Sequence, residues 1–324
     1  MSTTRKIRAW IFFFLLTPTF AIQAADDSQS LVNRGLLYRV EKDGALVYVY
    51  GTLHVGHAKY FPLQAAVVRA LNQSVALALE LDTALPSFGR MARTFGRLPP
   101  GHDLTHLLGS ELASAVAKSV VESDPRIPYE YALQLKPFLA YGSIGPRMPT
   151  GYSGQFGLES HLRKLAIERR ISVLEVEGPR RQFETFDDVK PALLKQFMQD
   201  RLDGQKSGKN SAVLADLLRA WESGNELALR ANLETPVSEN KEVATMYRER
   251  MFDRRNRGIA SFIEALARPG EPAFVAVGVL HLVGQNGLIA LMRTKGFKCS
   301  RIDLASIEDG PTSSSENAPH DLRQ

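Results

Sequence analysis

The chain has 324 residues, of which 44% are hydrophobic and 23% are charged. This composition is typical of a globular protein and excludes collagen-like, coiled-coil and wholly disordered chains. At this length, one large domain or two smaller ones can bury a sizeable core without disulfides. The formal net charge of +5 at first suggests binding to nucleic acid or to an anionic membrane.

The N-terminal residues carry part of that charge and have the form of a secretory signal peptide. Three basic residues precede the apolar run 9–16, and the small residues Ala21, Ala24 and Ala25 follow it. The run is shorter than the roughly 20 residues of a membrane-spanning helix, so we expect residues 1–24 to be cleaved rather than to remain as an anchor. Cleavage removes three of the 40 basic residues and none of the 35 acidic ones, which leaves 300 residues with a net charge of +2. We therefore expect a periplasmic or secreted protein.

The first elements predicted after this segment are a β-hairpin, a helix and a buried strand. Residues 36–42 alternate apolar and polar side chains, and an Asp-Gly turn signal separates them from the β-rich residues 45–50. A helix is predicted from about residue 62 to 72. The almost purely apolar run 75–79 is typical of a strand that is covered on both faces.

The middle of the chain is predicted to be mainly helical. Its helices are predicted over residues 111–122, 129–139, 158–170, 191–203, 212–222, 239–250 and 255–267. Residues 142–157 are rich in Gly, Pro, Ser and Tyr and predict a loop, whereas residues 171–177 predict a strand. The chain then returns to a buried strand over 272–277, a helix over 287–295 and a last strand over 297–302.

Strands that alternate with helices predict an α/β fold with a central, mostly parallel sheet. The two ends of the chain are expected to build this sheet as related halves, and the helical middle, about residues 85–270, would form an insertion or cap. We expect a single folded domain over residues 30–305. The Gly-, Pro- and Ser-rich residues 306–324 predict a flexible tail.

Two predicted strands end in the same pattern, Gly-x-x-His. The first runs from Gly51 to His54 and the second from Gly278 to His281. Both histidines follow the carboxyl end of an apolar strand, where open α/β sheets form their ligand crevice. Glycine at such a position lets the backbone approach closely, so the imidazole can be aimed into a cleft. We therefore predict one site built from two remote parts of the chain.

Two other strand ends carry glutamates: Glu80 follows the strand at 75–79, and the end of the strand at 171–177 contributes Glu175 or Glu177. Two histidines with one or two carboxylates form a plausible ligand set for a first-row divalent metal that keeps an open position for water. The same residues would also serve metal-free acid and base hydrolysis. The choice between Glu175 and Glu177 stays open at this point.

Several segments of the sequence resemble the TraB/PrgY/GumN family, which is related to the Tiki proteins. The likeness runs from about residue 36 to residue 302 and rests on Tyr50-Gly-Thr-Leu-His-Val-Gly56, Leu79-Glu-Leu-Asp82, Arg255-Asn256 and Val275-Ala-Val-Gly-Val-Leu-His-Leu-Val-Gly284. The resemblance implies an α/β fold of two related halves. Its Tiki branch implies divalent-metal-dependent proteolysis, while more distant relatives include erythromycin esterases and a haem-binding protein.

Individual residues of this sequence match the family pattern. His54 and His281 match the two motif histidines, and Glu80 matches the acidic residue that ends the second strand. Spacing to a following glutamine favours Glu177 as the second glutamate, whereas a preceding leucine favours Glu175. Arg255 matches a recurring arginine that would neutralise an oxyanion or orient a carboxylate. Glu159, by contrast, stands where family members often have aspartate.

Other patterns are interpreted as structural. Cys299 is the only cysteine, so no internal disulfide forms, and we interpret its thiol as structural. His102 and His106 are four residues apart, but Asp103 between them predicts a helix N-cap rather than a metal site. The basic residues of the middle region are interleaved with acidic ones, which is typical of solvated helix faces and argues against a nucleic-acid partner.

The leading hypothesis from the sequence is an exported, metal-dependent hydrolase that acts on peptide bonds. His54, His281 and Glu80 would bind the divalent cation, with Mn, Co or Zn as candidates, and Glu177 or Glu175 would activate the water. The partner would be a peptide or a small-molecule substrate, with no stable membrane anchor after cleavage. One alternative is a non-catalytic protein that binds a peptide, a small ligand or haem in the same cleft; another is a metal-free esterase that uses His54 and Glu80.

Overall fold

A computed structural model describes residues 34–304. The predicted signal peptide and the predicted C-terminal tail lie outside the described residues. The strands are β1 (Leu36–Lys42), β2 (Ala45–Thr52), β3 (Gly56–His57), β4 (Ala76–Leu79), β5 (Tyr152–Ser153), β6 (Ser172–Glu175), β7 (Ala273–Gly278) and β8 (Lys298–Ile302).

The helices are α1 (Ala65–Asn72), α2 (Phe88–Phe95), α3 (Leu104–Leu108), α4 (Ser110–Ser123), α5 (Tyr129–Leu133), α6 (Pro137–Ser143), α7 (Leu158–Glu168), α8 (Pro179–Phe183), α9 (Pro191–Lys206), α10 (Lys209–Glu222), α11 (Glu226–Glu234), α12 (Lys241–Arg248), α13 (Arg254–Leu266) and α14 (Leu288–Thr294). Turns of 3₁₀-helix lie at Ala58–Tyr60, Gly154–Phe156 and Val279–His281, and a π-helical segment lies at Glu249–Asp253. None of the helices within residues 34–304 is long and apolar enough to cross a membrane.

Six strands form the central sheet, in the order β6-β4-β7-β2-β1-β8. Neighbours among β6, β4, β7 and β2 are parallel, and β1 is antiparallel to both of its neighbours. The predicted hairpin of β1 and β2 is confirmed; Asp43 and Gly44 have φ of 50° and 79°, as a tight two-residue hairpin turn requires. The fold is therefore α/β with a mostly parallel sheet, as predicted.

The two strands that carry Gly-x-x-His are direct parallel neighbours. In their register Gly51 pairs with Val277 and Thr52 pairs with Gly278. Glycine is required at Gly51, because a Cβ there would lie 2.7 Å from Cγ2 of Val279, which is closer than van der Waals contact allows. Strand β4 lies on the other side of β7. The two motifs and the end of β4 consequently share one edge of the sheet.

Several helix boundaries differ from the sequence prediction for identifiable reasons. The helix predicted at 129–139 is two helices, α5 and α6, because Pro137 occupies the first turn of α6, where a proline is tolerated. The loop predicted at 142–157 contains β5, which pairs with β3. The predicted helices 239–250 and 255–267 are joined by the π-helical segment. Helices α2, α8 and α11 were not predicted, whereas α3 follows the predicted N-cap Asp103.

Two hydrophobic cores are present. The first surrounds the sheet and includes residues of α1, α7, α10, α13 and α14. The second lies among α3, α4, α5, α6, α9 and α12. The middle of the chain thus contributes to both cores, since α7, α10 and α13 pack against the sheet, whereas α3, α4, α5, α6, α9 and α12 form the second core.

Trp221 ties the helical middle to the strand of the first motif. Its side chain is fully buried, its Nε1–H donates to the carbonyl oxygen of Gly51 at 2.8 Å, and its ring lies 4.9 Å from that of Tyr60, centroid to centroid. We expect Trp221→Ala to lower the free energy of unfolding by about 3–5 kcal/mol, because it removes a large buried ring and leaves a cavity. Urea unfolding monitored by circular dichroism measures this loss.

Leu227→Ala is the matched control. Leu227 is 78% exposed, so its truncation is expected to change the free energy of unfolding by less than about 0.5 kcal/mol. Equal effects of the two substitutions would contradict the assignment of Trp221 as a principal contact between these parts of the fold.

Candidate active site

Polar side chains from four parallel strand ends gather at one edge of the sheet. Glu80 follows β4, Glu177 lies two residues after β6, and the motif histidines follow β2 and β7. Arg255, in the first turn of α13, reaches this edge from the helical side. The arrangement agrees with the general position of ligand crevices in open α/β sheets.

Glu80 is buried and its two carboxylate oxygens are held separately. Oε1 accepts hydrogen bonds from Nε2 of Gln182 at 2.9 Å and from Nη2 of Arg255. Oε2 accepts from the backbone N–H of Gly278 at 2.9 Å, so the second motif itself fixes this carboxylate. A Cβ at position 278 would lie 3.4 Å from Oε2, which leaves little room for a side chain there.

Glu80 is ionised at neutral pH despite its burial. Burial alone would raise the pKa of Glu80, but the charge of Arg255, together with His281, His54 and the N–H of Gly278, outweighs that penalty and holds the pKa well below its usual range. The carboxylate is therefore a permanent negative charge within the sheet edge.

Arg255 joins Glu80 to a second buried carboxylate, that of Glu177. Its Nε and Nη2 donate to Oε2 of Glu177 at 2.9 and 2.5 Å. Oε1 of Glu177 is buried and has no hydrogen-bond partner within residues 34–304; the nearest cation is Nε of Arg181 at 3.8 Å. Glu175 is oriented differently, because its Oε1 accepts from the backbone N–H of Asp82 at 3.0 Å. The structure thus brings Glu177, rather than Glu175, to Arg255.

His281 is buried and its tautomer follows from its neighbours. The Nδ2 of Asn256 donates to the carbonyl oxygen of Asn286 at 2.8 Å, which turns Oδ1 of Asn256 towards Nδ1 of His281 at 2.6 Å. Nδ1 therefore carries the proton, and Nε2 presents a lone pair 3.9 Å from Oε2 of Glu80. Burial and the nearby Arg255 charge lower the pKa of His281 to about 3, so the imidazole is neutral.

His54 lies in a different environment, with 70% of its side chain exposed. Its Nδ1 is 3.0 Å from Oε1 of Glu159, and that oxygen also accepts from Oγ1 of Thr52 at 2.6 Å. The negative charge of Glu159 raises the pKa of His54, although water screens part of this attraction at an exposed ring. Both motif histidines are thus oriented through Nδ1, one by a carboxylate and one by an amide.

The predicted metal-ligand set is only partly assembled. Within residues 34–304 no group of three or more His, Cys, Asp or Glu side chains is placed to hold a metal ion. His281 and Glu80 adjoin, whereas His54 is paired with Glu159 instead. The chemistry of the adjoining pair does fit a divalent cation: a neutral imidazole whose other nitrogen is tied to a side-chain oxygen, next to an ionised carboxylate.

The profile of the TraB/PrgY/gumN family matches residues 36–301. The chain belongs to this family. No curated protein and no solved structure matches the chain.

Three residues of this candidate site were not predicted to act in it from the sequence alone. Asn256 orients His281, Gln182 supports Glu80, and Thr52 shares Glu159 with His54. All three are buried polar side chains, which are normally hydrogen-bonded. The only signal available in the sequence was position. Asn256 is next to Arg255, Gln182 follows a strand end, and Thr52 lies within the first Gly-x-x-His motif.

Two histidines outside the candidate site make local contacts in this family member. Asp103 is the N-cap of α3, and its side chain accepts from the N–H of Thr105 at 2.9 Å and lies 3.0 Å from His106. His57 accepts from the N–H of Lys59 at 3.0 Å through Nδ1. The predicted helix start at Asp103 is confirmed.

Replacing Glu80 by glutamine tests the buried charge network. We expect Glu80→Gln, in metal-free protein with chelator, to lower the free energy of unfolding at pH 7 by about 3 kcal/mol, because Arg255 loses one of its two buried partners. The matched control is Glu41→Gln, whose exposed pair with Arg39 (2.6 Å) is expected to contribute less than about 1 kcal/mol.

The loss of unfolding free energy caused by Glu80→Gln should become smaller as the pH falls. The pKa of Glu80 in the folded protein is lower than the value of about 4.3 in an unfolded chain. Its stabilisation is therefore fully present above that unfolded value and is lost as the pH falls towards the folded value. Urea unfolding between pH 7 and pH 3 should show the difference between wild type and Glu80→Gln shrinking below about pH 4.3. A difference that grows as the pH falls would contradict the assignment.

Proposed function

We propose that this protein is an exported hydrolase that cleaves peptide bonds with the help of a divalent cation at the ends of β4 and β7. The observation that carries the proposal is the adjoining pair of His281 and Glu80, with Nε2 and Oε2 3.9 Å apart. One member is a neutral nitrogen donor and the other an ionised oxygen donor, and both are buried at the edge where ligands of such sheets bind. Export is supported by the form of residues 1–24.

The charges around this pair favour an additional cation. Glu80 and Glu177 bring two negative charges, and Arg255 brings one positive charge. His281 is neutral, so the buried side chains have an excess of one negative charge, and the exposed Arg181, 3.8 Å from Glu177, offsets it only in part. Buried charges are normally paired or bind a metal, and a divalent cation with an open water position would compensate this excess.

His281 and Glu80 would hold the cation, and His54 would supply a further nitrogen. His54 is the mobile member, because its exposed ring can change rotamer at little cost. A bound Mn, Co or Zn ion would polarise the scissile carbonyl and lower the pKa of a water. Asn256 keeps the proton of His281 on Nδ1, so Nε2 remains available as a donor.

Glu177 is suited to receive a proton from the attacking water. Its Oε2 is fixed by Arg255, while its buried Oε1 has no hydrogen-bond partner among the described residues. A fixed carboxylate with one unused lone pair has the geometry of a general base. Arg255 has both Nε and Nη2 engaged with carboxylates, which supports an orienting role rather than direct stabilisation of an oxyanion.

Metal binding tests the ligand assignment. We expect the wild-type protein to bind about one divalent ion, and His281→Ala and His54→Ala to weaken binding by roughly 10–100-fold or more, because each removes a donor nitrogen. Titration calorimetry with Mn²⁺, Co²⁺ and Zn²⁺ and elemental analysis of the purified protein provide the measurements, with circular dichroism as a check on folding.

The matched control for metal binding is His102→Ala, since His102 is a histidine outside the site. The His102→Ala variant should bind each metal ion with the affinity of wild type. If folded His54→Ala and His281→Ala bind all three metals as tightly as the control, the proposed ligand set is wrong. Tight metal binding without turnover of peptides or esters would instead support a protein that only sequesters its ligand.

Paired substitutions of the two candidate glutamates test the general base. Glu177→Gln should lower kcat by about 10²-fold or more while metal affinity is kept, because the amide cannot take the proton from water. Glu175→Gln should leave kcat within about threefold of wild type, because that side chain binds the backbone of Asp82 and adds only a local hydrogen bond. Cleavage of a fluorogenic peptide library measures both, and a larger loss for Glu175→Gln would reverse the assignment.

A further inference from the structure

A cavity of about 250 Å³ lies next to the side chains that hold His281. Asn256 and Phe252 form part of its wall, and neither His281 nor Glu80 lines it. Asn256 accepts the hydrogen bond of His281 at 2.6 Å, and the Phe252 ring lies 5.3 Å from the imidazole, centroid to centroid. The cavity is therefore separate from the candidate active site. The two are connected by Asn256 and Phe252, which line the cavity and also contact His281.

One part of the cavity wall is apolar. It consists of Leu233, Phe252 and Val283, of which Phe252 and Val283 are buried and Leu233 is half-buried. These three side chains can contact one small aliphatic group. The cavity is smaller than the pockets of about 300–1,000 Å³ that bind drug-sized ligands, so its ligand must be small.

The other part of the wall presents one cation, Arg248, and one anion, Asp253, that form no salt bridge within residues 34–304; the charge of Arg248 acts on Glu234 at longer range. Nη1 of Arg248 donates to the carbonyl oxygen of Leu233 at 2.9 Å, and its remaining donors meet no carboxylate. Asp253 makes no ion pair or side-chain hydrogen bond with the described residues. The third charged residue at the wall, Glu234, is already paired with Arg230 at 2.8 Å.

The π-helical segment brings these two charges to the same cavity. Arg248 immediately precedes the segment and Asp253 ends it. The wider turn of a π-helix shifts the register of the following residues, and such segments are frequent at functional sites. Asn256 follows within one turn and completes this side of the wall.

We propose that this cavity binds a small zwitterion with an apolar side chain, namely an apolar α-amino acid. The carboxylate of the ligand pairs with the guanidinium of Arg248, whose fork of N–H donors matches a carboxylate. The ammonium group pairs with Asp253, and the aliphatic side chain packs against Leu233, Phe252 and Val283. The inference requires no catalytic activity, so it stands or falls separately from the proposed hydrolysis.

Titration calorimetry with L-leucine and two matched analogues tests the proposal on the metal-free protein. The analogues are 4-methylpentanoate, which lacks the amine, and 3-methylbutylamine, which lacks the carboxylate. L-Leucine should bind, and each analogue should bind at least about tenfold more weakly, because each loses one charge-assisted hydrogen bond. Absence of L-leucine binding to the folded protein, or equal binding of either analogue, would overturn the proposal.

Variants of the cavity wall locate the binding. Arg248→Ala and the nearly isosteric Asp253→Asn should each weaken L-leucine binding by about tenfold or more. The control is Arg257→Ala, because Arg257 pairs with Glu249 at 2.5 Å and does not line the cavity; its affinity should equal that of wild type. If L-leucine binds equally to wild type and to folded Asp253→Asn, the ligand is not held by these charges and the assignment fails.

Discussion

The buried guanidinium of Arg255 is the contact on which the polar edge of the sheet depends. It lies between the carboxylates of Glu80 and Glu177, which come from two neighbouring parallel strands, and it reaches them from a helix that follows much later in the chain. Two buried carboxylates on adjacent strands would repel each other and would lose much of their hydration. With Arg255 between them, both carboxylates are paired with one cation at fixed positions, and Glu80 can in turn accept the N–H of Gly278. The strand of the second motif is therefore linked by hydrogen bonds to the same guanidinium.

The register of the parallel strands determines which residues surround this contact. Because β2 and β7 are neighbours with Thr52 opposite Gly278, the two Gly-x-x-His motifs leave the sheet side by side. Because β4 lies on the other side of β7, Glu80 reaches the backbone of the second motif and not that of the first. His281 consequently adjoins Glu80, while His54 lies one strand further away and pairs with Glu159. The partial assembly of the predicted ligand set follows from strand order.

The sequence was sufficient to predict the elements that repeat a local pattern. The alternation and turn signal of the first hairpin, the apolar runs of β4 and β7, and the position of both motifs at strand ends depend only on neighbouring residues, and the structure contains all of them. It was not sufficient to predict contacts between distant segments. Gln182 reaches Glu80 across 102 positions and Arg255 reaches it across 175, and no local periodicity reports such contacts. The choice between Glu175 and Glu177 needed the same information, since both lie at the end of one short strand and only their tertiary contacts distinguish them. The division of the helix at 129–139 could have been anticipated from Pro137, a local signal whose effect on a helix boundary is known.

The two motifs show how one local sequence pattern leads to two chemical environments. Gly51 and Gly278 begin the two motifs one register position apart in adjacent strands, and each histidine is oriented through Nδ1. The group that orients His54 is a carboxylate, which favours the protonated ring, and the ring remains exposed. The group that orients His281 is an amide, which favours the neutral ring, and that ring is 4% exposed. An amide cannot compensate a positive charge, so burial of a charged His281 beside Arg255 would be unfavourable. The amide of Asn256 therefore leaves His281 neutral with a lone pair on Nε2, whereas the carboxylate of Glu159 favours the protonated form of His54. The two copies of one sequence motif thus present a buried neutral imidazole and an exposed imidazole paired with a carboxylate, because both the Nδ1 partner and the depth of burial differ between them.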